Sequence, residues 1–376
     1  MFGVAVINII NGTLLSLTPM ILKQQDLCNL WLIGIYLSLN SILLYFGSSS
    51  YNIVKFVSKI PYDLITKLYL FLPFSLMILL LYTKSYFFLI LYFILFSLLQ
   101  ICRNISLNNV TMLSKDNINL VKKRDQIATI TSIFGLLVGQ FLLDIHINLF
   151  LIYLFVFIVV AEFYFIVNKV KVEQKTFEHT KVKHEVFDKF GFLLGLDKGV
   201  SLIIITVLNY FVIISTNEYG YFKVVQAVIT IFVIQYLSKI ITSHKDNINF
   251  LINLRTFLLI IPIIIVILLS KLEITNLYLL FIIIMTFCLS GSGEGVFLNI
   301  IFNRIDHKNA AKHTMLFSSY YKTCTIFLII SIFIIKLIDF NNILCLTLFI
   351  TICSIILTIN NYYLKKSIKY LKNRNS

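Results

Sequence analysis

Glu294 stands inside a long apolar run, bracketed by glycine and serine (Ser290 to Gly295, SGSGEG). An ionised side chain within an apolar span costs about 2.5–3.5 kcal/mol on insertion scales, so such residues survive mainly in cavities or as pairs. The chain has few of them: Glu294 in this run, Asp197 and Lys198 together in a second, Lys322 in a third, and Arg103 and Glu162 toward the ends of two more. A carboxylate so placed can take up and release a proton, which makes Glu294 and Asp197 candidates for proton coupling. Lys322, Arg103 and Lys198 supply positive charge that can attract a solute or serve as counter-ion along the same pathway. The competing reading is structural: Glu294 pairs with Lys322 or Lys198, or the long side chains reach the water interface. The glycines and serines favour the functional reading, because membranes tolerate irregular helix where it lines a cavity. Glu294 is the strongest single candidate.

The elements that carry these groups follow from composition. Hydrophobic residues make up 59% of the 376 positions and charged residues 13%, and the mean hydropathy is +0.92. Soluble domains are nearer 45–50% apolar and about 25% charged. Such a chain has too little polar surface to face water all round, and the lipid bilayer is its solvent. A span needs about 20 apolar residues, and that ruler predicts twelve: 2–22, 29–48, 67–83, 86–105, 127–144, 147–167, 191–214, 220–241, 251–270, 276–299, 314–335 and 342–363. The runs are continuous rather than alternating, so the fold class is all-α polytopic and not a barrel. The N-terminal run lacks a basic leader and a cleavage site, and reads as a retained first span. An inside start usually carries such a leader, which leaves open a start further upstream.

The net charge of +15 reads as topology and not as a nucleic-acid surface. Of the 32 Lys and Arg, 25 fall on one side of the twelve-span reading and four (Lys23, Lys84, Lys271, Lys336) on the other. Three more, Lys198, Lys223 and Lys322, lie within or beside spans. By the positive-inside rule the rich side is cytoplasmic, and both termini lie there. The six cysteines show no metal-ligand spacing, and neither a metal, a disulfide framework nor a cofactor is expected. A domain plan follows: an N-terminal six-helix half (1–167), a cytoplasmic linker (168–190), a C-terminal half (191–364) and a basic tail (365–376). The halves share a pattern after spans 4 and 10, where a charged turn and a basic cluster lead into a helix. Lys123 and Lys312 correspond there, 189 residues apart. Arg103 and Glu294, 191 residues apart, are candidate pseudo-equivalent positions.

Twelve spans in a 6+6 division with a long central loop resemble the major facilitator superfamily over the whole chain. In span 5, Gly135, Gly139 and Gln140 (GLLVGQ) resemble the G-x-x-x-G-P motif of that family's exporters, with Gln140 where the proline stands. Glycines four apart let a neighbouring backbone approach. The loop after span 2 departs from the family: FVSKIPYDLITK keeps only Lys59, Asp63 and Lys67 of a longer charged motif. The resemblance implies a pseudo-symmetric transporter in the cytoplasmic (inner) membrane, in which spans 1, 4, 7 and 10 bring Arg103, Asp197 and Glu294 inward. It implies proton-coupled efflux, as an antiporter, of a small amphiphilic molecule: a drug, antibiotic, peptide-like compound or siderophore. No nucleotide phosphate loop is present, and no catalytic residues are expected. The alternatives are a lipid-linked oligosaccharide flippase, or a polytopic polymerase or acyltransferase.

Overall fold

A computed structural model describes residues 2–26, 30–49, 59–112, 117–168, 185–215, 219–244, 310–337 and 343–374, with isolated positions between 53 and 57 and between 247 and 264. Ten long helices run through these residues: α1 (Phe2–Gln24), α2 (Leu30–Ser49), α3 (Tyr62–Thr83), α4 (Tyr86–Met112), α5 (Asn117–Ile145), α6 (Ile147–Asn168), α7 (Glu185–Ser215), α8 (Tyr219–Ser243), α9 (Ala310–Leu337) and α10 (Ile343–Arg374). They coincide with ten of the twelve predicted spans. The span predicted at 276–299 lies outside the described residues, as does nearly all of that at 251–270. Seven helices carry apolar stretches of 18–22 residues, long enough to cross a membrane.

Several helices outrun their apolar stretch. α5 begins with the polar segment NINLVKKRDQ, and α10 continues through the basic tail to Arg374. Lys, Arg and Gln are good helix formers in water, so the backbone ladder continues beyond the lipid. The turns at the other end are short. α3 stops where Lys84 adopts a left-handed conformation (φ 50°, ψ 32°) and its N–H bonds the Leu80 carbonyl. α5 and α6 are separated by His146 alone.

The chain divides into two compact units, residues 1–177 with 213–228, and residues 178–212 with 229–376. In the first, α1 packs chiefly on α5, α3 on α4, and α2 on α4. Its core gathers Ile10, Leu17, Phe96, Phe150 and Leu154. The α4 faces show how lipid replaces water as solvent: Phe87, Ile90, Ile94 and Leu98 point outward at helical spacing, while Tyr92, Phe96, Ser97 and Arg103 are buried. Hydroxyls inside spans are satisfied locally, as where Thr13 and Thr131 donate to the carbonyls of Ile9 and Ile127, each at 2.7 Å.

The second unit shows the same outward stripe on α9 (Ile326, Ile329, Ile330, Phe333) and on α10 (Leu348, Ile352, Ile355, Ile359). Its buried contacts include an amide bond from α10 to α7, Asn360 Nδ2 to the Leu193 carbonyl at 2.8 Å. With no hydrophobic drive between helices in lipid, close packing and such bonds hold the bundle together.

Candidate functional site

Close helix packing sets the frame. In the first unit, a Cβ built on Gly135 would lie 2.6 Å from the Ile9 carbonyl oxygen, and one on Gly139 2.8 Å from Thr13 Cγ2. Gly12 of α1 answers them, since a Cβ there would meet Ser132 Cβ at 2.9 Å. The Ser132 hydroxyl donates to the Asn8 carbonyl across the seam at 3.2 Å. In the second unit, α7 carries the small residues. A Cβ on Gly195 would lie 2.6 Å from the Tyr320 carbonyl oxygen, and one on Gly199 2.7 Å from Phe327 Cβ. Cys324, 189 residues after Gly135, directs its Sγ at the Gly195 carbonyl (3.5 Å). Spans 1 and 5 are thus seamed by small residues in one unit, and spans 7 and 11 in the other.

Arg103 is 4% exposed, and its guanidinium lies 5.1 Å from the centre of the Tyr69 ring. Tyr69 stacks on Phe96 at 5.7 Å, and Phe96 on Tyr92 at 5.4 Å. The Tyr92 hydroxyl is 2.9 Å from Thr18 Oγ1. Thr18 spends its own proton on the Leu14 carbonyl, so Tyr92 is the donor in that pair. A guanidinium over an aromatic face gains from the ring quadrupole, by about 2 kcal/mol or more when desolvated. The first unit therefore holds a buried column of alternating aromatic and polar groups that ends in a cation. Lys223 is a second buried basic residue, with its Nζ 5.2 Å from the centre of the Tyr219 ring. The tyrosines of the column escaped the sequence analysis, since aromatic residues in a membrane chain sit at interfaces as often as in cores.

The other candidates fall in the second unit. Asp197 is 1% exposed on α7, and the Ser201 hydroxyl bonds its carbonyl at 2.9 Å. Lys198, next to it, is half-buried, and Lys322 on α9 is exposed. Glu294 lies outside the described residues. An apolar groove of about 490 Å³ between α3 and α6, lined by Phe71, Ser75, Tyr82, Asn148, Ile152 and Phe155, contains none of the ionisable candidates. Gln140 is fully buried and donates from Nε2 to Asp144 Oδ1 at 2.7 Å, a partner that the sequence analysis passed over as a span end.

No known family model matches the sequence, and no curated protein does. Solved structures match in fold over nearly the full length. A bacterial homologue of the iron transporter ferroportin, in its outward-facing state, is 13% identical with a TM-score of 0.63, and 98% of each chain is covered. A bacterial homologue of ferroportin in its inward-facing state also gives 13% and 0.63, with 97% of each chain covered. A bacterial homologue of the human drug peptide transporters PepT1 and PepT2 is 12% identical with a TM-score of 0.67, covering 99% of this chain and 98% of that one. The nucleoside transporter NupG is 11% identical with a TM-score of 0.64, and 98% of each chain is covered. Each of these is a transporter or a homologue of one. The chain is a multi-span membrane protein, helical throughout its described spans, and it shares the fold of these transporters, the major facilitator fold.

Proposed function

We propose that the chain is a secondary active transporter of the major facilitator type, working by alternating access in the cytoplasmic membrane. It carries a small, amphiphilic molecule outward in exchange for protons. The observation that carries this reading is the burial of Arg103 and Asp197 within spans of that fold. Burying a charge in lipid is expensive, and a purely structural bundle could replace both groups with apolar ones. The fold neighbours move iron, nucleosides and peptides, all small solutes.

The efflux direction draws support from the resemblance of GLLVGQ to the exporter motif and from the close packing of Gly135 and Gly139 on α1. The 25-to-4 distribution of basic residues supports cytoplasmic termini. In this reading Glu294 and Asp197 carry the coupling proton, and Arg103, Lys198 and Lys322 meet the substrate or balance charge. The two six-helix halves, 1–167 and 191–364, are the bodies that rock.

The test is gradient-driven efflux of amphiphilic dyes from vesicles containing Glu294→Gln or Asp197→Asn. Each variant is expected to reach the membrane at the normal level and to lose gradient-driven transport by about tenfold or more, roughly 1.4 kcal/mol of barrier. Full transport by both would remove these carboxylates from the mechanism. Turnover of a lipid-linked substrate without gradient dependence would favour the flippase or enzyme instead.

A further inference from the structure

The groove between α3 and α6 lies wholly within the first unit. Phe71, Tyr82, Ile152 and Phe155 in its walls are all exposed, and the buried Phe74 stacks on Phe155 at 6.2 Å. Its polar groups are sorted by depth. Ser75, in the wall, spends its hydroxyl on the Phe71 carbonyl at 2.9 Å and so leaves the wall apolar. Tyr82 and Asn148, both exposed, stand together at one end.

The groove has the length of one leaflet. The apolar stretches run over Leu64–Thr83 in α3 and Ile147–Tyr164 in α6. Tyr82 and Asn148 fall at the same edge of these stretches, whereas Phe71 and Phe155 fall near their midpoints. At about 1.5 Å per residue, the two phenylalanines lie roughly 12–18 Å from that edge, and half of a hydrocarbon core is about 15 Å. An extended acyl chain matches this shape: apolar along its run, polar at one end only.

Beyond the polar end stand two exposed side chains that suit a phosphate. Lys84 caps α3, and His146 joins α5 to α6. The Asn148 N–H donates to His146 Nδ1 at 3.1 Å, which leaves Nε2 as the donor of a neutral ring. Lys84 is one of the four basic residues that the sequence places on this side. A lysine at the headgroup layer attracts an anionic lipid.

We propose that this groove seats one acyl chain of an anionic glycerophospholipid, whose phosphate is received by Lys84 and His146. The lipid belongs to the leaflet on the lysine-poor side. Such a site needs only the membrane-spanning fold, and it goes beyond the transport reading without resting on it.

Lipid selectivity is the test. The full chain carries Trp31→Phe, which removes its single tryptophan, and Leu79→Trp as reporter, and is reconstituted in phosphatidylcholine vesicles. Leu79 is exposed and lies between the lining residues Ile78 and Tyr82. Quenching by brominated phosphatidylglycerol, compared with brominated phosphatidylcholine, gives the relative binding constant of the anionic lipid. The parent is expected to prefer the anionic lipid roughly fivefold, the effect of one lysine at the headgroup layer. Lys84→Gln is expected to bring the ratio to about one, and Lys84→Arg to keep it. Ser75→Leu, which fills the wall, is expected to abolish the preference, and Ser75→Ala to leave it intact. Lys84 and Ser75 are exposed, so these variants leave the core untouched. Equal constants for the two lipids in the parent would overturn the site. So would a preference undiminished by Lys84→Gln, or one undiminished by Ser75→Leu, which would mark attraction to surface charge without a seated chain.

Discussion

A carbonyl oxygen and a methyl group are unequal obstacles, and that difference separates the two glycines of span 5. At Gly135 an added Cβ meets the Ile9 carbonyl, which belongs to the α1 backbone and cannot swing aside. At Gly139 it meets Thr13 Cγ2 and Leu17 Cδ1, the ends of side chains that can give. Gly135→Ala is therefore expected to destabilise the protein by about 1–3 kcal/mol, as overpacking does, and Gly139→Ala by clearly less. Thermal unfolding in detergent ranks the two, and an equal loss would contradict the seam described here. Among single residues, the sequence announced Arg103 and Asp197 because each charge interrupts an apolar run. It did not announce Lys223 or Asp144, which lie near the ends of their runs, where charge is ordinary. Nor did it distinguish Tyr69 and Tyr92 from the other tyrosines, since only the fold sets them beside Phe96 and Thr18.

At the scale of helices, hydropathy located spans well and their ends poorly. Each apolar run reports the part of a helix that lies in lipid, whereas α5 and α7 begin in polar residues that only their backbone hydrogen bonds mark as helical. The seam between α7 and α9 was present in the sequence as Gly195 and Gly199, four residues apart. The charges at Asp197 and Lys198 between them drew attention first. Gly195→Leu is expected to force α9 off the Tyr320 carbonyl, and hydrogen exchange should then rise across residues 319–330. Protection equal to the parent's would show that this approach does not hold the pair together. The two seams also fit a duplicated plan, because spans 5 and 11 correspond at the same offset as Lys123 and Lys312.

For the whole molecule, the physical argument is the reversal of inside and outside: apolar stripes face out on α4, α9 and α10, while Arg103, Gln140, Asp197 and Lys223 are buried. That reversal was legible from composition, and the major facilitator architecture from the rhythm of spans and basic loops. Glu294 and the span around it stand outside the described residues, so its place in the pathway rests on the sequence. The twelve-span plan predicts that reporters at Gln174 and Ser376 lie on the same side of the membrane and one at His146 on the opposite side. Protease protection of tagged variants reads this directly, and Gln174 and Ser376 on opposite faces would break the plan.

The central claim is transport driven by an ion gradient. Purified protein in sealed vesicles, given an imposed proton gradient and a panel of amphiphilic dyes, tests it most directly. The account predicts movement of at least one dye against its concentration gradient, abolished when a protonophore collapses the proton gradient. Dye movement that runs only downhill and ignores the protonophore would contradict it.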